Sequence, residues 1–217
     1  MAAIVTYGFS QTIGDNLIHP KIARPWLLYV HAALFCAWLT LYVLQSGLVR
    51  AGNVKLHRRL GLAWLCLGAA MPIVGVATAV VMRRFDIVHL HDTLPFLVIP
   101  LWDVGSFTVC FGLAAIWRKR PEFHRRLMFL ATCALIGAGL GRFPVPEAWF
   151  NAGWFYFVID AMVLVAIGRD LIVQRRVHPV FAVALPLMVV GQIVAWTLWW
   201  YPPAPWLGFL RVLVGAG

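Results

Sequence analysis

An all-α fold, a polytopic transmembrane bundle of about six spans, is what this sequence predicts, and three observations carry the prediction. The chain is 62% apolar and only 12% charged. Soluble domains run near 25% charged, so these polar residues are too few to cover a water-exposed surface of this size. The apolar residues come in runs of about 20, the length a helix needs to cross roughly 30 Å of hydrocarbon. The runs are about twice as long as a tilted barrel strand and lack its period-2 alternation. At 217 residues the chain has no room for a separate soluble domain, so residues 1–217 read as a single transmembrane domain.

Residues 1–24 are mixed in composition and lack the basic segment and cleavage site of a signal peptide. They read as an extramembrane or interfacial lead-in. The bundle itself, residues 25–200, divides into predicted spans over Pro25–Val49, His57–Val81, Thr93–Trp117, His124–Gly141, Gly153–Ile172 and His178–Trp200. Pro72 is expected to kink the second span. The tail, residues 201–217, has adjacent prolines followed by an apolar stretch too short to cross, and is expected to lie in the interface.

The net charge of +10 would suggest nucleic acid in a soluble protein. Here the basic residues fall between apolar runs, with no basic tail, which excludes nucleic acid and points to anionic lipid headgroups. The connections after spans one, three and five hold 12 of the 18 Lys and Arg residues. The positive-inside rule places those connections in the cytoplasm and both termini outside it. Cys36, Cys66, Cys110 and Cys133 all fall within apolar runs with no CxxC, so neither a disulfide framework nor a zinc site is indicated.

An internal echo organises the basic side. The second span opens with His57-Arg58-Arg59-Leu60-Gly61 and the fourth with His124-Arg125-Arg126-Leu127-Met128, while Arg175-Arg176-Val177-His178-Pro179 leads into the sixth. Three similar hairpins would place a histidine and an arginine pair at the same membrane face each time. Arginine at a span end ordinarily snorkels to headgroups. Several arginines at helix N-termini, which already carry partial positive charge, need a compensating anion. A lipid phosphate or a cofactor's propionate or phosphate would serve, which makes Arg58 and Arg125 candidate cofactor contacts beside His57, His124 and His178.

A second set lies in the opposite half. His31 is about 9 Å into span one, Asp103 about 15 Å into span three and Asp160 about 12 Å into span five, at 1.5 Å per residue; Gln192 comes to a similar level. Ionisable groups inside a span generally face the bundle interior and mark function. His31, Asp103 and Asp160, with His89 and His91 in the segment Asp86–Asp92 read as a loop, form a candidate transition-metal set. Arg142 is positioned to pair with one aspartate. The histidines also suit a b-type haem held axially across a bundle, either by His57 with His124 or by His31 with His89 or His91. His57 and His124 lie at the interface, where a haem would be half exposed.

The blocks "YVHAALFCAW" with Gln45, "LHRRLG" at 56–61, "EFHRRLMFLAT" at 122–132, "RRVHP" at 175–179 and the trailing Trp206 resemble a family of bacterial multi-helix membrane proteins with paired HRRL blocks. The resemblance covers about residues 29–210. It implies a multi-pass protein of the bacterial inner membrane, covers His31, His57, His124, His178 and Asp160, and places His89 and His91 in a variable loop. It implies no activity. No Gly-rich phosphate loop, HExxH or GxSxG occurs. The functional expectation is an accessory or assembly subunit of a larger respiratory or photosynthetic membrane complex. The alternatives are an electron-transport protein holding haem b or a transition metal, and a small proton-linked transporter using Asp103 and Asp160.

Overall fold

The computed structural model describes residues 1–90 and 93–215. Among the described residues 84% are helical and no strand occurs. Helix α1 (Ala2–Ser10) is followed by α2 (Trp26–Arg50), α3 (Val54–Leu90), a short 3₁₀ turn (Leu94–Leu97) and α4 (Val98–Ile116). Then come α5 (Pro121–Leu140), α6 (Glu147–Asn151), α7 (Trp154–Gln174), α8 (Pro179–Trp200) and α9 (Ala204–Val214). Four helical stretches among the described residues are long and apolar enough to cross a membrane: α2, α3, Leu94–Ile116 and α8. Helices α5 and α7 are 20 and 21 residues long, but charged side chains interrupt their apolar surfaces.

Punctuation follows the local chemistry. Pro25 blocks helix before α2, and Gly52, with φ of 73°, takes the left-handed conformation that ends it. Asn53 then caps α3, its Oδ1 accepting from Leu56 N–H at 3.2 Å. Helix α3 continues through Pro72 to Leu90, beyond the Val81 limit expected from hydropathy. Residues 82–90 hold no Gly or Pro to stop it, and the polar side chains there find partners. Arg83 lies over the Phe96 ring at 4.8 Å and donates to Thr93 O at 3.1 Å, while Arg24 reaches Asp86 at 3.6 Å. The expected loop over Asp86–Asp92 is therefore helix as far as Leu90; His91 and Asp92 lie outside the described residues.

Helix α5 occupies the centre, touching α1, α4, α7 and α8. Its face of small residues, including Ala131, Cys133, Ala134, Gly137 and Gly139, lets neighbouring backbones approach closely. Gly8 of α1 meets Gly139 so closely that a Cβ at Gly8 would overlap the Gly139 carbonyl. Val5 is buried in the same contact, so part of the lead-in is a docked helix. Arg142 secures it from the other side, with its guanidinium 4.2 Å from the Phe9 ring and a bond to Thr12 Oγ1 at 3.2 Å. Between α2 and α4, Trp38 stands edge-on to Phe107 and Phe111 at 4.9 and 5.6 Å. The tail helix α9 buries Leu210 and Val214 against Leu97.

At the crossing of α4 and α8, the Trp102 indole occupies the space above Gly191. A side chain there has nowhere to go. Gly191→Ala is expected to cost about 1–3 kcal/mol through overpacking, read as a lowered melting temperature in detergent; an unchanged melting temperature would contradict this packing.

Candidate functional site

At the basic end, α3 and α5 bring His57 and His124 together with ring centroids 6.4 Å apart and planes at 71°. Each ring is held from behind. His124 Nδ1 lies 2.9 Å from Ala114 O, a carbonyl in the last turn of α4 that has no partner within its helix. A carbonyl only accepts, so Nδ1 carries the hydrogen and the Nε2 lone pair is left free. His57 is held by Gln45 of α2. In the amide orientation that satisfies every neighbour, Gln45 Nε2 donates to His57 Nδ1 at 2.6 Å and Oε1 accepts from Gly61 N–H at 3.0 Å. In that orientation a neutral His57 carries its hydrogen on Nε2.

Beside this pair sits a buried ion pair that spacing alone does not reveal. Arg126 of α5 and Asp170 of α7 are 44 positions apart, each side chain 3% exposed. Arg126 Nε and Nη2 donate to the two Asp170 oxygens, both at 2.7 Å, the fork-to-fork geometry of a strong charge-assisted pair. Arg126 Nη1 also donates to Glu122 Oε2 at 2.6 Å, and Arg125 donates to the same oxygen at 2.6 Å. The anion expected to compensate these arginines is therefore supplied by the chain. Arg125, proposed from sequence as a cofactor contact, is occupied by Glu122, while Arg58 is exposed.

His178 stands apart from the histidine pair. Its Nδ1 accepts from Val180 N–H at 3.2 Å and caps α8, and its ring meets Phe123 edge-on at 4.7 Å. Its Nδ1 is thereby engaged as the cap of α8. Glu122, Phe123, Gln174, Arg176 and His178 line an open cleft of about 560 Å³.

The bond from Arg126 holds the Glu122 carboxyl below its usual 4.5, with Gln174 and the arginine charges acting in the same direction. A depressed carboxyl stabilises the fold above its ordinary value, and that contribution is lost as pH falls through the folded value. Stability at this end is expected to decline as pH drops below about 4.5. Glu122→Gln should flatten that decline in a series of melting temperatures between roughly pH 3 and 6; an identical slope in both proteins would contradict it.

Among the described residues, the opposite half does not gather the expected metal set. Among the described residues no three or more His, Cys, Asp and Glu side chains converge where an ion could be held. Asp160 accepts from Gln192 Nε2 at 3.1 Å, a polar tie between α7 and α8. Asp103 lies against α5, where a Cβ at Gly137 would come 3.2 Å from its Oδ2. His31 stacks with Phe35 at 6.2 Å. His89 is turned onto its own helix, with Nδ1 2.9 Å from Phe85 O and its ring stacked 4.3 Å from Phe85. The companion His91 lies outside the described residues. Arg142, expected to pair with an aspartate, binds Thr12 and the Ala138 carbonyl instead.

Fold and side chains together define a class: an all-helical protein with several helices of membrane-crossing length, whose basic end carries a histidine pair and a buried Arg–Asp bridge. Comparison with protein-family models, curated proteins and solved structures finds no match.

Proposed function

We propose that this chain is a six-span membrane protein, built from the hairpins α2–α3, α4–α5 and α7–α8, that holds a transition-metal centre between His57 and His124. The centre is either the iron of a b-type haem or a single ion. The observation that carries this reading is the 6.4 Å separation of the two rings. Two metal–imidazole bonds of about 2.0 Å, with the ring radius added on each side, give a centroid separation of roughly 6 Å. Ordering from behind at His124 is the second support, because its Nδ1–H donates to Ala114 O, as a ligating histidine ordinarily donates its other N–H. Such a centre would supply one-electron transfer at the membrane surface. His31, His89, Asp103 and Asp160 have no part in it.

The accessory-subunit reading also has an observation in its favour and is compatible with the first. Only 17–28% of each candidate span's apolar window is buried inside the bundle, leaving broad apolar faces for lipid or neighbouring subunits. Lys55, Arg58 and Arg59 are exposed at the basic end, where anionic headgroups of a bacterial inner membrane would meet them if that end is cytoplasmic. The proton-linked carrier draws less support, since Asp160 is engaged by Gln192.

The test is an absorption spectrum with metal analysis of protein purified in mild detergent. A Soret band identifies haem, and a colourless protein with about one metal equivalent identifies a single ion. A colourless, metal-free protein would contradict the proposal.

A further inference from the structure

We infer that the cleft where the start of α5, the end of α7 and the start of α8 meet binds a phosphate group, held by Arg176 and by the Nε2–H of His178. The inference is independent of the metal reading above, since neither His57 nor His124 lines this cleft. Three observations lead to it. His178 is only 7% exposed, yet it lines the cleft. Its Nδ1 accepts from Val180 N–H at 3.2 Å, and a ring nitrogen that accepts carries no hydrogen, so the ring is neutral with its hydrogen on Nε2. That Nε2–H has no hydrogen-bond partner among the described residues, which leaves the donor to the cleft. The carboxylate of the cleft, by contrast, is already matched: Glu122 Oε2 accepts from Arg126 and Arg125, both at 2.6 Å, and from Gln174 at 3.2 Å. Arg176 lines the same cleft and makes no ion pair among the described residues.

A cationic fork and a neutral N–H donor in one cleft call for an anion with several oxygens. A carboxylate presents both of its oxygens along one edge, which the guanidinium alone would occupy. A phosphate presents oxygens in several directions, so Arg176 can take one edge while His178 Nε2–H reaches another oxygen. The start of α8 adds the partial positive charge of a helix N-terminus. The cleft volume of about 560 Å³ is in the range of small-molecule sites and exceeds what a simple ion needs. Glu122 does not oppose the anion, because its charge is answered by Arg125 and Arg126. Two sources offer this chemistry, a phospholipid headgroup and a soluble phosphate.

The experiment is calorimetric titration of delipidated full-length protein in detergent with dihexanoyl phosphatidylglycerol and, separately, with inorganic phosphate. Arg176→Gln removes the charge at an exposed position. His178→Ser keeps a side-chain cap on α8 and withdraws the donor from the cleft. Lys119→Gln, exposed between α4 and α5, removes the same charge outside the cleft. Arg176→Gln and His178→Ser are each expected to weaken binding about tenfold or more, as for a lost hydrogen bond to a charged group. Lys119→Gln should leave the affinity unchanged. Heat from phosphatidylglycerol alone, with that dependence, identifies a lipid headgroup; the same dependence with inorganic phosphate identifies a soluble phosphate; either upholds the site. Absence of binding by both probes would overturn the inference, as would an equal loss in Lys119→Gln, the mark of diffuse surface charge. Unchanged affinity in Arg176→Gln would overturn it whatever His178→Ser does to folding, because the exposed Arg176 can be replaced without opening the core.

Discussion

Asp170→Ala is expected to destabilise the bundle by about 3–5 kcal/mol, the range for removing one partner of a buried ion pair. The carboxylate accepts two bonds of 2.7 Å from Arg126, and both side chains are 3% exposed. Its removal leaves most of a guanidinium without an anion in a poorly solvated place. Glu122, whose side chain is 50% exposed and holds Nη1 at 2.6 Å, answers only one edge of the guanidinium, which sets the expectation toward the lower end of the range. The control is the pair of substitutions Arg126→Met with Asp170→Leu. Replacing both charges by apolar groups is often neutral or better, so the double variant should recover most of the lost melting temperature. If Asp170→Ala stays within about 1 kcal/mol of wild type, the bridge does not hold α5 to α7 as described.

His124→Ala has the other large expected effect. It removes the one ring whose Nε2 lone pair is already free, and no neighbouring His, Cys, Asp or Glu cluster among the described residues offers a substitute. Metal or haem affinity is expected to fall at least about 100-fold, since loss of outer-shell partners alone costs 10- to 100-fold. His31→Ala and His178→Ala should leave affinity unchanged. His178→Ala should still lower stability by about 1 kcal/mol as a lost helix cap. Equal losses in all three variants would mean the histidines act through the fold rather than through ligation.

The apolar runs made the long helices legible because hydropathy over about 20 residues is a strong signal. Where those helices stop was less legible. Hydropathy falls at Arg83 and Arg84, so the second span reads as ending near Val81, but helix termination needs a breaker and 82–90 contain none. The docking of α1 was hidden for a different reason: its anchor is the mutual approach of Gly8 and Gly139, and a glycine pair 131 positions apart carries no local signature. The basic end was legible as a site of paired histidines and arginines in search of an anion. Which arginine turns inward was not, because adjacent residues on a helix differ by about 100° in direction, and Arg126 rather than Arg125 faces Asp170. Gln45 entered only among the blocks of the resemblance, and its closeness to His57 depends on the hairpin bringing them together. The Ala114 carbonyl has no sequence signal at all, since every residue has one.

A metal centre ligated by His57 and His124 is tested most directly by X-ray absorption at the edge of whatever metal co-purifies, in wild type and in His57→Ala. Two imidazole nitrogens at about 2.0 Å are expected in wild type, beyond any porphyrin nitrogens, and one in the variant. A centre whose imidazole count is the same in both proteins, or a purified protein carrying no metal, would contradict it.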